Sequence, residues 1–304
     1  MDTQKRKELT GALLLLLASA IWGCAFVAQS VAAEKVGPFT FHTARSFLGG
    51  LVLLPVLFIR RLRDRKTDGC QPPDNKNRRT LLFGGVLCGL ALGIASCLQQ
   101  IGIAYTTVGN AGFITAMYIL IVPVFGLFLG RRAGLRVWGC VLLGVVALYL
   151  LSIKDGFAIS KGDLWVLACA VAFSVHILLV DRFSPQTDGV ALSCIQFFVA
   201  GLLSFLPMLI IERPDWNDLL SAWLPIAYAG IFSSGVAYTC QVLGQKHTRP
   251  AVASLLMSFE SVFAVLAGAL ILGEIPTLRE GFGCLLMFAA IVLAQLPQRS
   301  KKKA

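Results

Sequence analysis

The sequence is poor in charged residues. Only 14% of its 304 residues are Asp, Glu, Lys or Arg, whereas 57% are hydrophobic and the mean hydropathy is +0.76. A soluble domain carries about 25% charged residues, because its surface faces water. The scarcity of charge therefore excludes a cytosolic, disordered or fibrous protein and indicates a chain that is embedded in lipid.

The sequence also lacks the motifs of common metal and nucleotide chemistry. It has three histidines, and its nine cysteines form no CxxC pair. An HExxH metal-binding helix, a Walker-type phosphate loop and paired membrane aspartates are likewise missing from the sequence. We therefore expect no metal, no cofactor and no enzymatic activity, and a multi-span membrane enzyme is kept only as a distant alternative.

Long apolar runs make up most of the sequence. A helix needs about 20 apolar residues to cross a bilayer. The sequence predicts an all-α integral membrane protein with ten transmembrane helices and little remaining chain for a soluble domain. The predicted spans are residues 11–32, 39–59, 80–100, 108–129, 137–152, 163–180, 189–211, 222–242, 250–272 and 278–296.

The Lys and Arg residues predict how these helices are oriented. With both termini in the cytoplasm, 21 of the 27 basic residues lie on inner segments and five on outer segments, while Arg45 lies within a span. Positively charged segments stay cytoplasmic during insertion, so we expect cytoplasmic termini, a cytoplasmic basic loop at 60–79 and a basic cytoplasmic tail at 297–304. Because the basic residues separate the spans, the expected partner is the lipid bilayer of the plasma membrane and not nucleic acid.

The chain contains an internal repeat. A shift of 142 residues relates spans three and four to eight and nine, and a shift of 151 relates spans one and two to six and seven. We therefore predict two five-helix repeats, residues 1–152 and 153–304. Because each repeat has an odd number of spans, the second copy lies in the membrane in the opposite orientation. Transporters with such inverted repeats bind solute near the membrane midplane. Matched pairs include Gly93 and Gly235, Gln99 and Gln241, Gly102 and Gly244, Thr106 and Thr248, Gly11 and Gly162, Phe47 and Phe198, and Gly50 and Gly201.

Short motifs in both halves carry a family resemblance. They are Ala20-Ile21-Trp22-Gly23, Ala44-Arg45, Leu98 to Tyr105, Pro123-Val124, Gly130-Arg131-Arg132, Phe259-Glu260-Ser261-Val262-Phe263 and Leu272-Gly273-Glu274. These motifs are spread over nearly the whole chain, and through them the sequence resembles the EamA-type ten-helix transporters of the drug/metabolite transporter superfamily. The resemblance implies small-solute transport through a central cavity lined mainly by helices one to four and six to nine, with helices five and ten at the periphery.

Two charged residues are predicted to lie deep within the spans. Glu260 is about ten residues, or about 15 Å, into span nine, and Arg45 is about 9 Å from the outer end of span two. A charge at the bilayer centre costs about 2.5–3.5 kcal/mol on insertion scales, so such residues mark functional sites. We expect both in the substrate site and able to pair with each other. A fixed structural ion pair is the alternative.

Polar and aromatic residues at helical spacing extend this site. The 142-residue shift places Tyr118 on Glu260, and Trp22 lies too deep in span one for an interfacial belt. Packing between helices is the alternative for each of these residues. The predicted substrate-binding set consists of Trp22, Phe26, His42, Arg45, Gln99, Phe113, Tyr118, His176, Tyr238, Gln241 and Glu260.

The sequence thus predicts a secondary transporter that works by alternating access, because it has no nucleotide site to drive transport. The expected substrate is a small metabolite such as an amino acid or a related partly apolar solute, and the expected direction is export. The alternative is a proton-coupled antiporter of cationic drugs or amines, in which Glu260 holds proton and substrate in turn. Two overlapping GxxxG steps, at Gly85, Gly89 and Gly93, permit close helix contact within one protomer or in a homodimer.

Overall fold

The computed structural model describes residues 3–66, 75–106, 108–130, 133–152, 160–271 and 277–295, and every regular element within these ranges is helical. The α-helices are α1 (Thr3–Ala33), α2 (Pro38–Lys66), α3 (Asn75–Ile103), α4 (Val108–Ala116), α5 (Tyr118–Phe128), α6 (Leu135–Ser152), α7 (Lys161–Phe183), α8 (Gly189–Pro207), α9 (Trp216–Ser221), α10 (Trp223–Tyr228), α11 (Thr239–Gln245), α12 (Pro250–Met257), α13 (Glu260–Ile271) and α14 (Leu278–Gln295). Two π-helical segments, Met208–Glu212 and Ala229–Tyr238, follow α8 and α10.

Within the described ranges, eight helical segments are long and apolar enough to cross a membrane. The all-helical membrane class is therefore confirmed. The fifth predicted span coincides with a shorter apolar helix, Leu135–Leu150, and the tenth with α14, so the count of ten and the side of the termini remain predictions. The eight segments are Lys5–Ala33, Pro38–Arg63, Asn77–Ile103, Ala111–Phe128, Lys161–Gln186, Gly189–Glu212, Trp223–Gln245 and Pro250–Ala267.

Parts of the sequence predictions lie outside the described residues. These are the centre of the basic loop at 67–74, the boundary between the repeats at 153–159, the Leu272-Gly273-Glu274 motif and the basic tail at 297–304. The outer surface of the described helices agrees with a lipid environment. Large apolar side chains such as Leu13, Phe58, Phe83, Leu202 and Ile210 are exposed there, which an aqueous surface would not favour over so wide an area.

Contacts between the halves are reciprocal at residues that the repeat matches. A Cβ atom on Gly50 would lie 3.0 Å from the ring of Phe198, and a Cβ on Gly201 would lie 3.0 Å from the ring of Phe47. The 151-residue shift converts the first contact into the second. A two-fold relation produces this pattern, because residue i of one copy then contacts residue j of the other and j contacts i.

A second pair of contacts is also reciprocal, because the 151-residue shift places Gly11 on Gly162 and the 142-residue shift places Gly102 on Gly244. A Cβ on Gly244 would lie 2.8 Å from the carbonyl oxygen of Gly11, and a Cβ on Gly162 would lie 2.7 Å from the carbonyl oxygen of Gly102. These glycines let α1 approach α11 and α3 approach α7 at backbone distance. Helices of the first half therefore pack closely against helices of the second, through contacts of the kind that a two-fold relation between the predicted repeats would produce.

Two predicted spans are broken at equivalent positions. Span four divides into α4 and α5 at Met117, and span nine divides into α12 and α13 at Ser258 and Phe259. The 142-residue shift places Met117 on Phe259. The second halves begin at Tyr118 and Glu260, so two half-helix N-termini lie at the same level of the repeats, an arrangement found where transporters bind solute.

The GxxxG steps on α3 pack against another helix of the same chain. Cβ atoms on Gly85 and Gly89 would lie 2.5 Å and 2.6 Å from the side chains of Ile195 and Val199 on α8, and Gly93 continues the same contact. The close packing that the motif predicts is thus intramolecular. A homodimer stays a prediction without support from this motif.

Candidate functional site

A cavity lies between helices of the two halves. It contains about 450 Å³ of space that no protein atom occupies, part of which opens to solvent. Its lining comes from α1, α2, α3, α4, α5, α7, the π-helical segment before α11, α11, α12 and α13. Among the described residues, α6 and α14 contribute none, as expected for peripheral helices, and neither does α8, the seventh predicted helix. The lining residues are Trp22, Phe26, Gln29, Arg45, Gln99, Thr115, Tyr118, Phe173, Ile177, Ser233, Tyr238, Gln241, Met257 and Glu260.

Glu260 and Tyr118 meet at the two helix breaks. The hydroxyl of Tyr118 donates a hydrogen bond of 2.9 Å to Oε1 of Glu260. Both side chains are buried, with 4% of Tyr118 and 5% of Glu260 exposed. Glu260 is also the first residue of α13, where the helix dipole favours a negative charge.

Arg45 lies in a buried polar pocket at another part of the wall. Its guanidinium donates to the hydroxyls of Ser234 (3.3 Å) and Ser233 (3.1 Å) and to Oε1 of Gln29 (3.3 Å). The same group stands 5.7 Å from the centre of the Phe41 ring, which adds a cation–π contact. Neutral dipoles and a ring therefore surround this charge.

The expected pairing of Arg45 with Glu260 is not present in this conformation. Among the described residues, the ion pair with N···O within 4.0 Å joins Arg60 and Asp188 at 3.8 Å, and none joins Arg45 to Glu260. The physical reason is that each group has other neighbours, hydroxyls and an amide for Arg45 and a phenol for Glu260. The two opposite charges share the cavity without direct contact.

Aromatic rings form much of the wall. The ring centroids of Trp22 and Tyr238 are 4.7 Å apart, and Nε1 of Trp22 donates to the carbonyl oxygen of Ser233 at 3.4 Å. Phe26 and Phe173 complete this side of the lining. A hydrogen bond from the polar atom of a buried ring to the backbone holds the ring in one orientation. The rings therefore give the wall an ordered apolar surface.

The glutamines of the lining both tie helices together and face the cavity. Nε2 of Gln99 donates to Oγ1 of Thr115 at 3.2 Å. Nε2 of Gln241 donates to Gln245 at 2.9 Å, and Gln245 in turn donates to the carbonyl oxygen of Ile177 at 3.0 Å. Oε1 of Gln241 is buried and accepts no hydrogen bond from a described residue, which leaves an acceptor at the cavity wall.

Three residues of the predicted set lie behind the lining. Phe113 is 8% exposed and packs in the main apolar core. Nε2 of His176 is 3.1 Å from Oε1 of Gln196, and the imidazole lies edge-on to Tyr238 with ring centroids 6.0 Å apart. His42 is buried three residues before Arg45 on α2. These side chains can support the cavity wall, while the other eight predicted residues line it.

Six lining residues were absent from the sequence prediction. The repeat shifts carry a signal for two of them, since they place the predicted residues Trp22 and Phe26 on Phe173 and Ile177. A polar or aromatic cavity residue in one copy therefore points to its partner in the other. The six residues are Gln29, Thr115, Phe173, Ile177, Ser233 and Met257.

The described residues bring together no three His, Cys, Asp or Glu side chains that could hold a metal ion. The eight cysteines in these ranges are free thiols, and six of them are buried. The chemistry at the cavity therefore consists of one buried cation, one buried carboxylate, amides, hydroxyls and aromatic faces. Such a set can bind a solute and orient it.

Comparison with known proteins gives the family. The model of the EamA-like transporter family matches residues 9–153 and, a second time, residues 160–296. An uncharacterized transporter of Archaeoglobus fulgidus is 30% identical over 295 residues, covering 95% of this chain and 87% of that protein. A chloroplastic WAT1-related protein of Arabidopsis thaliana is 26% identical, covering 91% of this chain and 67% of that protein. The uncharacterized inner membrane transporter YedA of Escherichia coli K12 is 22% identical over 95% of this chain and 90% of its own length.

A solved structure shares the fold. A protein crystal structure matches with a TM-score of 0.75 over 93% of this chain and 96% of that chain, at 21% sequence identity. The family model covers nearly all of the sequence in two successive matches, and the helices, the reciprocal contacts and the cavity agree with a multi-pass membrane transporter. The chain belongs to the EamA-like transporter family.

Proposed function

We propose that this protein is a secondary transporter that exports amino acids or related partly apolar metabolites across the plasma membrane by alternating access. One observation carries the proposal: the cavity is lined by equivalent positions of both repeats. Ten of its fourteen lining residues form five such pairs, namely Trp22 with Phe173, Phe26 with Ile177, Gln99 with Gln241, Thr115 with Met257, and Tyr118 with Glu260. A solute bound there touches both halves at once.

The proposed mechanism follows from this shared lining. The two halves, residues 1–152 and 153–304, form inverted five-helix copies with cytoplasmic termini, and their relative rocking opens the cavity to one side and then to the other. Helix breaks at Met117 and at Ser258 and Phe259 let α5 and α13 tilt separately from α4 and α12. The solute gradient, or an ion that moves with the solute, drives the cycle.

The lining also supports a substrate of mixed character. Trp22, Phe26, Phe173, Ile177 and Met257 offer apolar contacts, while Arg45 and Glu260 offer charges. Ligand sites of this type are mostly apolar, with a few polar groups that fix orientation. A small metabolite with both apolar and charged parts fits this wall better than a purely apolar drug.

A second function is favoured by one specific contact. Glu260 is buried and accepts one hydrogen bond from the described residues, that from Tyr118. A buried carboxylate in a membrane carrier is suited to exchange a proton for a cation. The second candidate is therefore a proton-coupled antiporter of cationic drugs or amines.

Counterflow in proteoliposomes tests the proposed function. Vesicles preloaded with unlabelled leucine or phenylalanine should accumulate the labelled amino acid, whereas empty liposomes should not. A pH gradient imposed without preloading tests the second candidate, which requires accumulation of a labelled cationic amine against its gradient. Vesicles that hold folded protein and exchange neither amino acid nor amine would contradict both functions.

A further inference from the structure

Two opposite charges line the cavity without neutralising each other. Arg45 is 4% exposed and Glu260 is 5% exposed, and among the described residues no ion pair joins them. Removing a charge from water costs free energy unless hydrogen bonds and an opposite charge compensate it. The structure compensates each group with neutral partners, which leaves both charges able to bind an oppositely charged group of a ligand.

The guanidinium of Arg45 retains capacity for an anion. A guanidinium has five N–H donors. In the described structure it uses three of them, one on each nitrogen, towards Ser234, Gln29 and Ser233. One N–H therefore remains on each terminal nitrogen, and these donors are available to an anionic group such as a carboxylate.

The carboxylate of Glu260 retains capacity for a cation. Tyr118 donates to Oε1, and Oε2 accepts no hydrogen bond from a described residue. An ammonium group has three donors and no acceptor. An ammonium group in the cavity can therefore bind Oε2 without displacing Tyr118.

The two residues line one cavity, which Arg45 reaches from α2 and Glu260 from α13. A solute in this cavity that carries both a carboxylate and an ammonium group can therefore contact both residues at once through charge-assisted hydrogen bonds.

We propose that Arg45 and Glu260 recognise a zwitterion, with Arg45 binding its carboxylate and Glu260 its ammonium group. This inference rests on the proposed transport function and names its substrate class. The rings of Trp22, Phe26 and Phe173 and the side chains of Ile177 and Met257 receive the remainder of the solute. The preferred substrate is an α-amino acid with an apolar side chain.

The first test uses the unaltered protein and three probes. Phenylalanine carries both charges, its methyl ester lacks the carboxylate, and 3-phenylpropionate lacks the ammonium group. We expect phenylalanine to compete with labelled phenylalanine in counterflow at concentrations at least about tenfold lower than either analogue, because each analogue leaves one buried charge unpaired. Equal competition by the ester or the propionate overturns the inference and leaves transport established.

The second test assigns the two ends with variants. Arg45→Gln should remove the preference for phenylalanine over its ester and keep the preference over phenylpropionate, and Glu260→Gln should do the reverse. Arg60→Gln is the matched control, since Arg60 is exposed and outside the cavity. An equal loss for all three probes in both variants contradicts the assignment. If a variant does not fold, the probe series on the unaltered protein still decides.

The two levels of the hypothesis fail differently. Counterflow of an amine or a carboxylate without preference for the zwitterion would refute the role of Arg45 and Glu260, and the transport function would stand. No counterflow of any probe, together with no thermal stabilisation of the protein by phenylalanine or leucine, would refute both.

Discussion

Tyr118 and Glu260 are equivalent residues of the two repeats, 142 positions apart, and they are hydrogen-bonded to each other at 2.9 Å. A residue that touches its own symmetry mate lies on the symmetry axis, because the axis passes midway between equivalent atoms. A two-fold axis that relates the proposed repeats would therefore pass through the cavity, beside the buried carboxylate. The contact joins one half of the chain to the other at the cavity wall.

The first prediction concerns the energy of that contact. Tyr118→Phe and Glu260→Ala, each of which removes the hydrogen bond, should destabilise the protein, and their effects should be non-additive by about 1–3 kcal/mol, as expected for a buried hydrogen bond to a charged group. Equilibrium unfolding in detergent of both single variants and the double variant measures the coupling. Tyr105→Phe, at an exposed tyrosine, is the control. Effects that add within about 0.5 kcal/mol would exclude the contact.

The second prediction concerns the role of Glu260 in transport. Glu260→Gln preserves the shape and one acceptor but removes the charge, so the variant should fold, insert into the membrane and transport at a reduced rate or without pH dependence. Initial rates in proteoliposomes across a range of pH values measure this. Glu34→Gln, at an exposed glutamate, should behave like the unaltered protein. Normal rates at every pH for Glu260→Gln would assign the residue to the scaffold.

The third prediction concerns the reciprocal glycine contacts. Gly162→Ala should destabilise the protein by about 1–3 kcal/mol, because the added Cβ would meet the backbone of Gly102, Tyr105 and Thr106 at 2.7–2.9 Å and the backbone cannot move aside cheaply. Gly139→Ala is the matched control, since its Cβ has no described atom within 4 Å. Thermal unfolding should separate the two variants. Equal melting temperatures would argue against the close approach of α3 and α7.

The fourth prediction concerns topology. Single cysteines at Lys76 or Lys301, in a chain whose Cys70 is replaced by serine, should not react with an impermeant thiol reagent added outside intact cells. The reason is the excess of basic residues on the segments assigned to the cytoplasm. Cysteines placed at Lys35 or Lys161, on the opposite side, should react. Labelling of the first pair would reverse the orientation.

The helical class and most helix positions could be predicted from hydropathy, whereas the helix breaks could not. Span four breaks at Met117 and span nine at Ser258 and Phe259, and none of these is proline or glycine. Pro123, by contrast, lies within the continuous helix α5. Each break lies directly before a residue of the tertiary contact between Tyr118 and Glu260, and no local pattern contains that contact.

Two signals in the sequence predict part of the cavity: charged residues inside predicted spans and the internal repeat. The first signal identifies Arg45 and Glu260, and the second identifies Tyr118. The same repeat, applied to Trp22, would also have identified Phe173. Helical spacing indicates which residues share a face, but a polar face can meet either a cavity or another helix. His176 and its neighbour Gln196 illustrate the second outcome, since Nε2 of His176 lies 3.1 Å from Oε1 of Gln196 behind the wall.

The reciprocal contacts of Phe47, Gly201, Phe198 and Gly50 bear on the energetics of the two end states. Were the halves identical, exchanging their conformations would convert one end state into the other at equal free energy. The residues that differ between the halves therefore determine which state is more populated, and about 1.4 kcal/mol suffices for a ratio of ten to one. Arg45, whose counterpart is Gln196, is a difference that lines the cavity. If Arg45 binds the proposed substrate, substrate recognition and the resting orientation of the carrier both depend on this side chain.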